Sequence, residues 1–151
     1  MSTTWGVRPT APRTVDDAVA AVRACGLKAS SARRLVLAAL FAADAPVTAE
    51  RIASGLGGEL PASDIGSVYR NLEILERLGV VRHLHAAHGP GVYAIAREEV
   101  DGYVACERCG EVRVADPRAM SLIRTAVERA FGYEASFVHF PIVGVCARCR
   151  R

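Results

Sequence analysis

The stretch SDIGSVYRNLEILERLGVVRHLHAAHGPGVYAIA, residues 63–96, decides the fold, because its hydrophobic period changes partway along. Ile65, Val68, Leu72, Leu75 and Leu78 recur at helical spacing. Ser63 or Asp64 can cap that helix, and Gly79 ends it. Beyond Gly79 the pattern alternates. Val81, His83 and His85 share one face, a turn follows at His88, Gly89 and Pro90, and Val92 to Ile95 run back. A helix leading into a hairpin is the second half of a winged helix.

The segments upstream supply the first half. Thr14 caps a helix from Val15, with Ala18, Val19 and Val22 inward and Gly26 as its stop. Ser30 caps a second helix to about Ala42, burying Leu37, Leu40 and Phe41. Thr48 opens a third, to about Leu56, after the break at Asp44 to Pro46, and Gly57 and Gly58 turn the chain. Residues 1–13 contain Pro9 and Pro12 and no apolar period, so they read as a flexible arm. Its Arg8 and Arg13 either brush a phosphate backbone or stand in solvent.

Downstream, strands are predicted near 102–105, 111–115 and 135–145, with a helix over 118–131. The fold class is therefore α+β: a winged helix-turn-helix domain over 14–96, then a small α/β domain over 97–151. A chain of 151 residues, 51% hydrophobic and 23% charged, can bury one ordinary core or two small ones. No run approaches the ~18 apolar residues of a membrane span, and MSTTWGVRPTAPR lacks a secretory block. A cytoplasmic protein with no membrane partner is expected. The net charge of +3 permits a polyanionic partner without requiring one.

Four of the five cysteines form two CxxC pairs, a grouping that favours metal ligation in a reducing compartment. Cys106 and Cys109 make a knuckle closed by Gly110, and Cys146 and Cys149 repeat it. Four soft thiolates suit tetrahedral Zn²⁺ with no open position, so the site reads as structural, joining the C-terminal strand to the first strand of its domain. A redox dithiol and two unrelated cysteine pairs are the competing readings. Cys25 is expected as a small core or helix-end residue.

On the 63–79 helix, the core-facing stripe leaves Ser67, Tyr69, Arg70 and Asn71 to touch bases or phosphates, and Arg33 at the start of the second helix joins that set. An ordinary amphipathic helix with solvated polar residues fits the composition equally well.

The run SxxSVYRNLEILERLGVV, preceded by SARRLVLAAL and followed by CERCG and CARC, resembles the ferric uptake regulator family over roughly residues 15–149. The resemblance implies a homodimer whose C-terminal domains form the dimer contact and whose winged helices grip double-stranded palindromic operator DNA. It also implies that metal binding sets the angle between the two DNA-reading domains, a coupling between sites.

One family motif is missing. Relatives carry histidines of the type HHxHLxC before the first CxxC, whereas residues 98–106 read EEVDGYVAC, with none. Glu99 and Asp101 fall at ligand positions and are either a weak carboxylate site or solvated. The histidines lie elsewhere: His83, His85 and His88 on the wing, and His139 on the strand leading to Cys146. His83 and His85 project from one strand face and can share an ion, with His139 as a third ligand from the other domain.

HLHAAHG together with HFPIVGVC is similar to the nickel-responsive branch of the family, which implies His83, His85 and His139 as regulatory Ni²⁺ ligands, with His88 a further candidate. Zn²⁺ or Fe²⁺ could occupy the same imidazoles. The competing readings are wing histidines on phosphate and a regulator that has lost its sensor. From other classes come an enzyme with a facial histidine metal site, which lacks a general base here, and a purely structural zinc protein.

Overall fold

In the computed structural model, residues 11–86 and 88–151 are described. Arg8 and Pro9 of the expected arm lie outside the described residues. Pro12 is buried and the Arg13 N–H donates to Asp17 Oδ2 at 3.1 Å, so the end of that segment is tied to the first helix.

The N-terminal half follows from capping and periodicity. α1 (Val15–Ala24) starts with a reciprocal capping box between Thr14 and Asp17. α2 (Ser31–Ala42) is capped by Ser30, and α5 (Ile65–Arg77) by Asp64. Between α2 and α5 lie β1 (Val47–Thr48), α3 (Ala49–Ala53) and the short α4 (Gly55–Gly58). The third helix thus stops before its expected end at Leu56. The cause is steric: the chain enters the left-handed region at Gly55 (φ 65°), where a β-carbon would stand 1.9 Å from the Leu60 carbonyl oxygen.

β2 (Val81–Leu84) and β3 (Val92–Ile95) form the wing hairpin, and β1 adds to β3 in the order β1-β3-β2. A two-residue strand has no period to read, so β1 leaves no mark in the sequence. Val22, Leu37, Val68, Leu72, Leu75 and Val80 lie at the centre of the core beneath these elements. Ile65 was expected to face that core, yet it is 40% exposed, because it begins the first turn of α5.

The second sheet comprises β4 (Gly102–Cys106), β5 (Val112–Val114) and β6 (Phe137–Gly144) in the order β5-β4-β6. β6 lies parallel to β4, a pairing that needs a long crossover, and α6 (Pro117–Phe131) supplies it. Several contacts join the halves, among them an apolar cluster and an arginine clamp. Leu84 and Val92 of the wing pack with Val100, Tyr103, Ala105 and Val112 in one buried cluster. Arg82 of β2 donates to the Val100 carbonyl at 2.6 Å and the Arg97 carbonyl at 3.0 Å, holding the connecting segment against the wing.

Candidate metal centres and nucleic-acid interface

Parallel pairing of β4 with β6 brings their C-terminal ends together, and each end runs into a CxxC turn. The sulfurs of Cys106, Cys109, Cys146 and Cys149 all lie within 4.8 Å of one another. A tetrahedral Zn²⁺ with ~2.3 Å bonds spaces its sulfurs about 3.8 Å apart; Cys109 and Cys146 stand 3.9 Å apart. The Cys146 N–H donates to Cys106 Sγ at 3.3 Å, and the Glu107 N–H to the Gly144 carbonyl at 2.9 Å. Backbone donors, that of Cys146 foremost, hold the Cys106 thiol down to about 6, whereas the Cys146 sulfur beside it pushes Cys149 up to about 12. The donor set fits one soft divalent ion with no vacant position. Cys25, at the end of α1, is exposed and apart from the cluster.

The histidines meet differently. His83 pairs across the wing with Tyr93, and the rings stack with centroids 4.5 Å apart and 8° between planes. The His85 ring is 4.4 Å from that of His83 and 5.8 Å from Phe140 of β6. The His85 N–H donates to the His139 carbonyl at 3.2 Å, so the wing touches β6 at the two residues in question. Burial lowers the His83 pKa below its usual value of 6.5; His85 and His139 lower it further and Glu76 opposes them. That direction favours the neutral imidazole, the form that ligates metals. Among the described residues the four cysteines are the one group of ligand atoms that converges in this way; His83, His85 and His139 do not form such a group.

The other expected ligands are placed elsewhere. His88 is exposed and lines a cavity of about 310 Å³ with Pro90, Glu107 and Arg108, between the wing tip and the first cysteine knuckle. Glu99 is exposed. Asp101 is occupied: Arg124 Nη1 donates to its carboxylate at 3.2 Å and Nη2 to its carbonyl at 2.8 Å. Glu76 was absent from the expected set, although its Oε2 lies 3.9 Å from His83 Nδ1. The signal for it was the tight turn at Gly79, which folds β2 back along the end of α5.

On α5, Tyr69 and Arg70 are exposed and Ser67 is half-buried. The Tyr69 hydroxyl donates to Glu50 Oε1 at 2.9 Å; that bond lowers the Glu50 pKa, second to a bond from Glu50's own backbone, and is the main cause raising that of Tyr69. Arg70 stands 3.9 Å from Asp64. Two expected DNA contacts are corrected. Arg33 and Asn71 are buried, and Arg33 Nε donates to Asn71 Oδ1 at 3.0 Å. Arg33 also donates to the Lys28 carbonyl, and Asn71 Nδ2 to the Ser67 carbonyl at 2.9 Å. Both polar groups are consumed inside the domain, bracing α5 on α2, and neither faces outward.

A winged helix with exposed polar side chains on its last helix, joined to a sheet that ends in a four-thiol cluster, defines a class: metal-binding transcription regulators. A model of the Ferric uptake regulator family matches residues 24–139, and the chain belongs to that family. The peroxide-responsive repressor PerR of Staphylococcus aureus is 20% identical over 136 residues, covering 90% of this chain and 91% of its own. Among solved structures, the Helicobacter pylori ferric uptake regulator Fur, described as having three functional metal-binding sites, superposes with a TM-score of 0.71 at 22% identity. The match covers 97% and 98% of the two chains. A zinc uptake regulator complexed with zinc and DNA superposes with a TM-score of 0.55 at 20% identity, covering 90% and 92%. Members of the family are metal-responsive transcription regulators and not enzymes. Among the described residues no helix is long and apolar enough to cross a membrane.

Proposed function

We propose that this chain is a nickel-responsive repressor that binds palindromic operator DNA as a homodimer. The DNA-binding unit is residues 14–96 and the dimerising, metal-holding unit 97–151. Cys106, Cys109, Cys146 and Cys149 hold a structural Zn²⁺, whose chemistry is to cross-link the ends of β4 and β6. Ser67, Tyr69 and Arg70 meet the operator. For Tyr69 and Arg70 this exchanges the Glu50 and Asp64 carboxylates for phosphate or base acceptors.

The observation that carries the reading is the backbone hydrogen bond from the His85 N–H to the His139 carbonyl, with the His83 ring 4.4 Å from that of His85. It supports the reading because it joins the wing to β6 at two of the three histidines whose imidazoles are proposed as ligands. Those imidazoles fit Ni²⁺ and equally the Zn²⁺ or Fe²⁺ that relatives of this family sense. An ion shared between wing and β6 realises its full binding energy only when the two are held together, and so favours one orientation of the reading domain.

The test is a metal titration of operator binding by protein that retains its cysteine-bound zinc, comparing Ni²⁺, Zn²⁺, Fe²⁺ and Mn²⁺. Nickel is expected to tighten binding at the lowest concentration, and His85→Ala to abolish that response. Equal affinity with and without every metal would sink the sensor reading while leaving the DNA-binding one intact.

A further inference from the structure

We infer that Glu76, in the last turn of α5, is a direct ligand of the sensed ion beside His83, so that the ion grips the helix that reads DNA. The inference rests on the histidine site proposed above and adds a residue to it.

Only one nitrogen of the His83 ring is open to an ion. Tyr93 stacks on the ring and fixes its plane. A β-carbon at Gly91 would lie 2.1 Å from His83 Nε2 and 3.0 and 3.2 Å from Cδ2 and Cε1. Those two nearly equal distances put that point close to the lone-pair axis of Nε2. The Gly91 α-carbon stands one bond, about 1.5 Å, behind it. An ion bound to Nε2 at ~2.1 Å would therefore collide with the backbone. Nε2 is closed, and Nδ1 is the coordinating atom.

Nδ1 faces Glu76 Oε2 at 3.9 Å. Two ligands bound to one ion at ~2.1 Å stand between about 3 Å apart, when adjacent, and about 4.2 Å, when opposed, so the observed spacing accepts an ion between them. The two side chains are 23% and 37% exposed, open enough for a hydrated ion to enter. The His85 ring lies 4.4 Å from that of His83. Glu76 also lies six residues along α5 from Arg70, about 9 Å on a rigid helix. Wing, β6 and reading helix then meet at one ion, and metal binding acts on α5 without an intermediary. Gly91 becomes a specificity position, because any side chain there evicts the His83 ring.

The experiment measures Ni²⁺ affinity by calorimetry on the full-length, zinc-retaining protein and its Glu76→Gln, Gly91→Ala, His85→Ala and Glu73→Gln variants. Melting temperatures without nickel check that each variant folds. Glu76→Gln and Gly91→Ala are expected to weaken nickel binding by about tenfold or more, and Glu73→Gln, an exposed carboxylate on the same helix, to leave it unchanged. Loss of nickel binding in His85→Ala with wild-type affinity in Glu76→Gln overturns the role of Glu76 alone. Wild-type affinity in both overturns the histidine site as well.

Discussion

Asn71 is bonded at both ends of its amide, accepting from the buried Arg33 Nε and donating to the carbonyl of half-buried Ser67. Truncating it strands a buried guanidinium N–H, and leaving such a group unpaired costs about 1–3 kcal/mol. Asn71→Ala is expected to lower stability by that amount in chemical denaturation, and Arg33→Ala combined with it to cost less than the sum of the two. Strict additivity in that cycle would show that the pair does not act as a unit. The same variant should weaken operator binding indirectly, because Ser67, Tyr69 and Arg70 sit on the turns that this amide braces. Arg33 and Asn71 read as DNA contacts from their polarity alone, because a partner 38 positions away leaves no local trace in the sequence.

Between elements, the join that matters most is the parallel one between β4 and β6. Its ladder runs from Gly102 opposite Phe137 to Cys106 opposite Gly144, broken by an irregularity after Gly102. The four cysteine sulfurs gather at the end of this ladder, beside the bond from the Glu107 N–H to the Gly144 carbonyl. Removing zinc with a chelator, or making Cys106→Ser, is expected to expose backbone amides over 102–106 and 137–144 to hydrogen exchange while α1, α2 and α5 stay protected. Uniform loss of protection would mean instead that the chain unfolds as one unit. Much of this layout is legible in the sequence. The caps at Thr14, Ser30 and Asp64, the change of period at Gly79, and the paired CxxC motifs each encode a local rule. What is not legible depends on distant backbone: β1 needs β3 to exist, α3 is cut short by the approach of Leu60 to Gly55, and the Asp101 carboxylate is taken by Arg124.

The whole chain leaves apolar surface uncovered on its C-terminal half. Leu122, Phe131, Tyr133 and Phe140 are each between 66% and 73% exposed, and of the residues of α6 only Met120 is buried. A helix and strand so exposed are expected to meet a second copy of the chain, as the proposed homodimer requires. The Phe140 ring also lies 5.8 Å from that of His85, so the proposed sensor site would border that surface. Leu122 and Phe131 lie about 180° apart round α6, so they distinguish its faces. Leu122→Glu and Phe131→Glu are therefore compared by sedimentation and by operator affinity at several salt concentrations. One of the two is expected to yield monomers, and the variant that does so identifies the face buried between subunits. The slope of log affinity against log salt should then fall to about half, since each wing neutralises its own share of phosphates. If both variants remain dimeric with the wild-type slope, the subunits meet elsewhere and α6 is covered by some other partner.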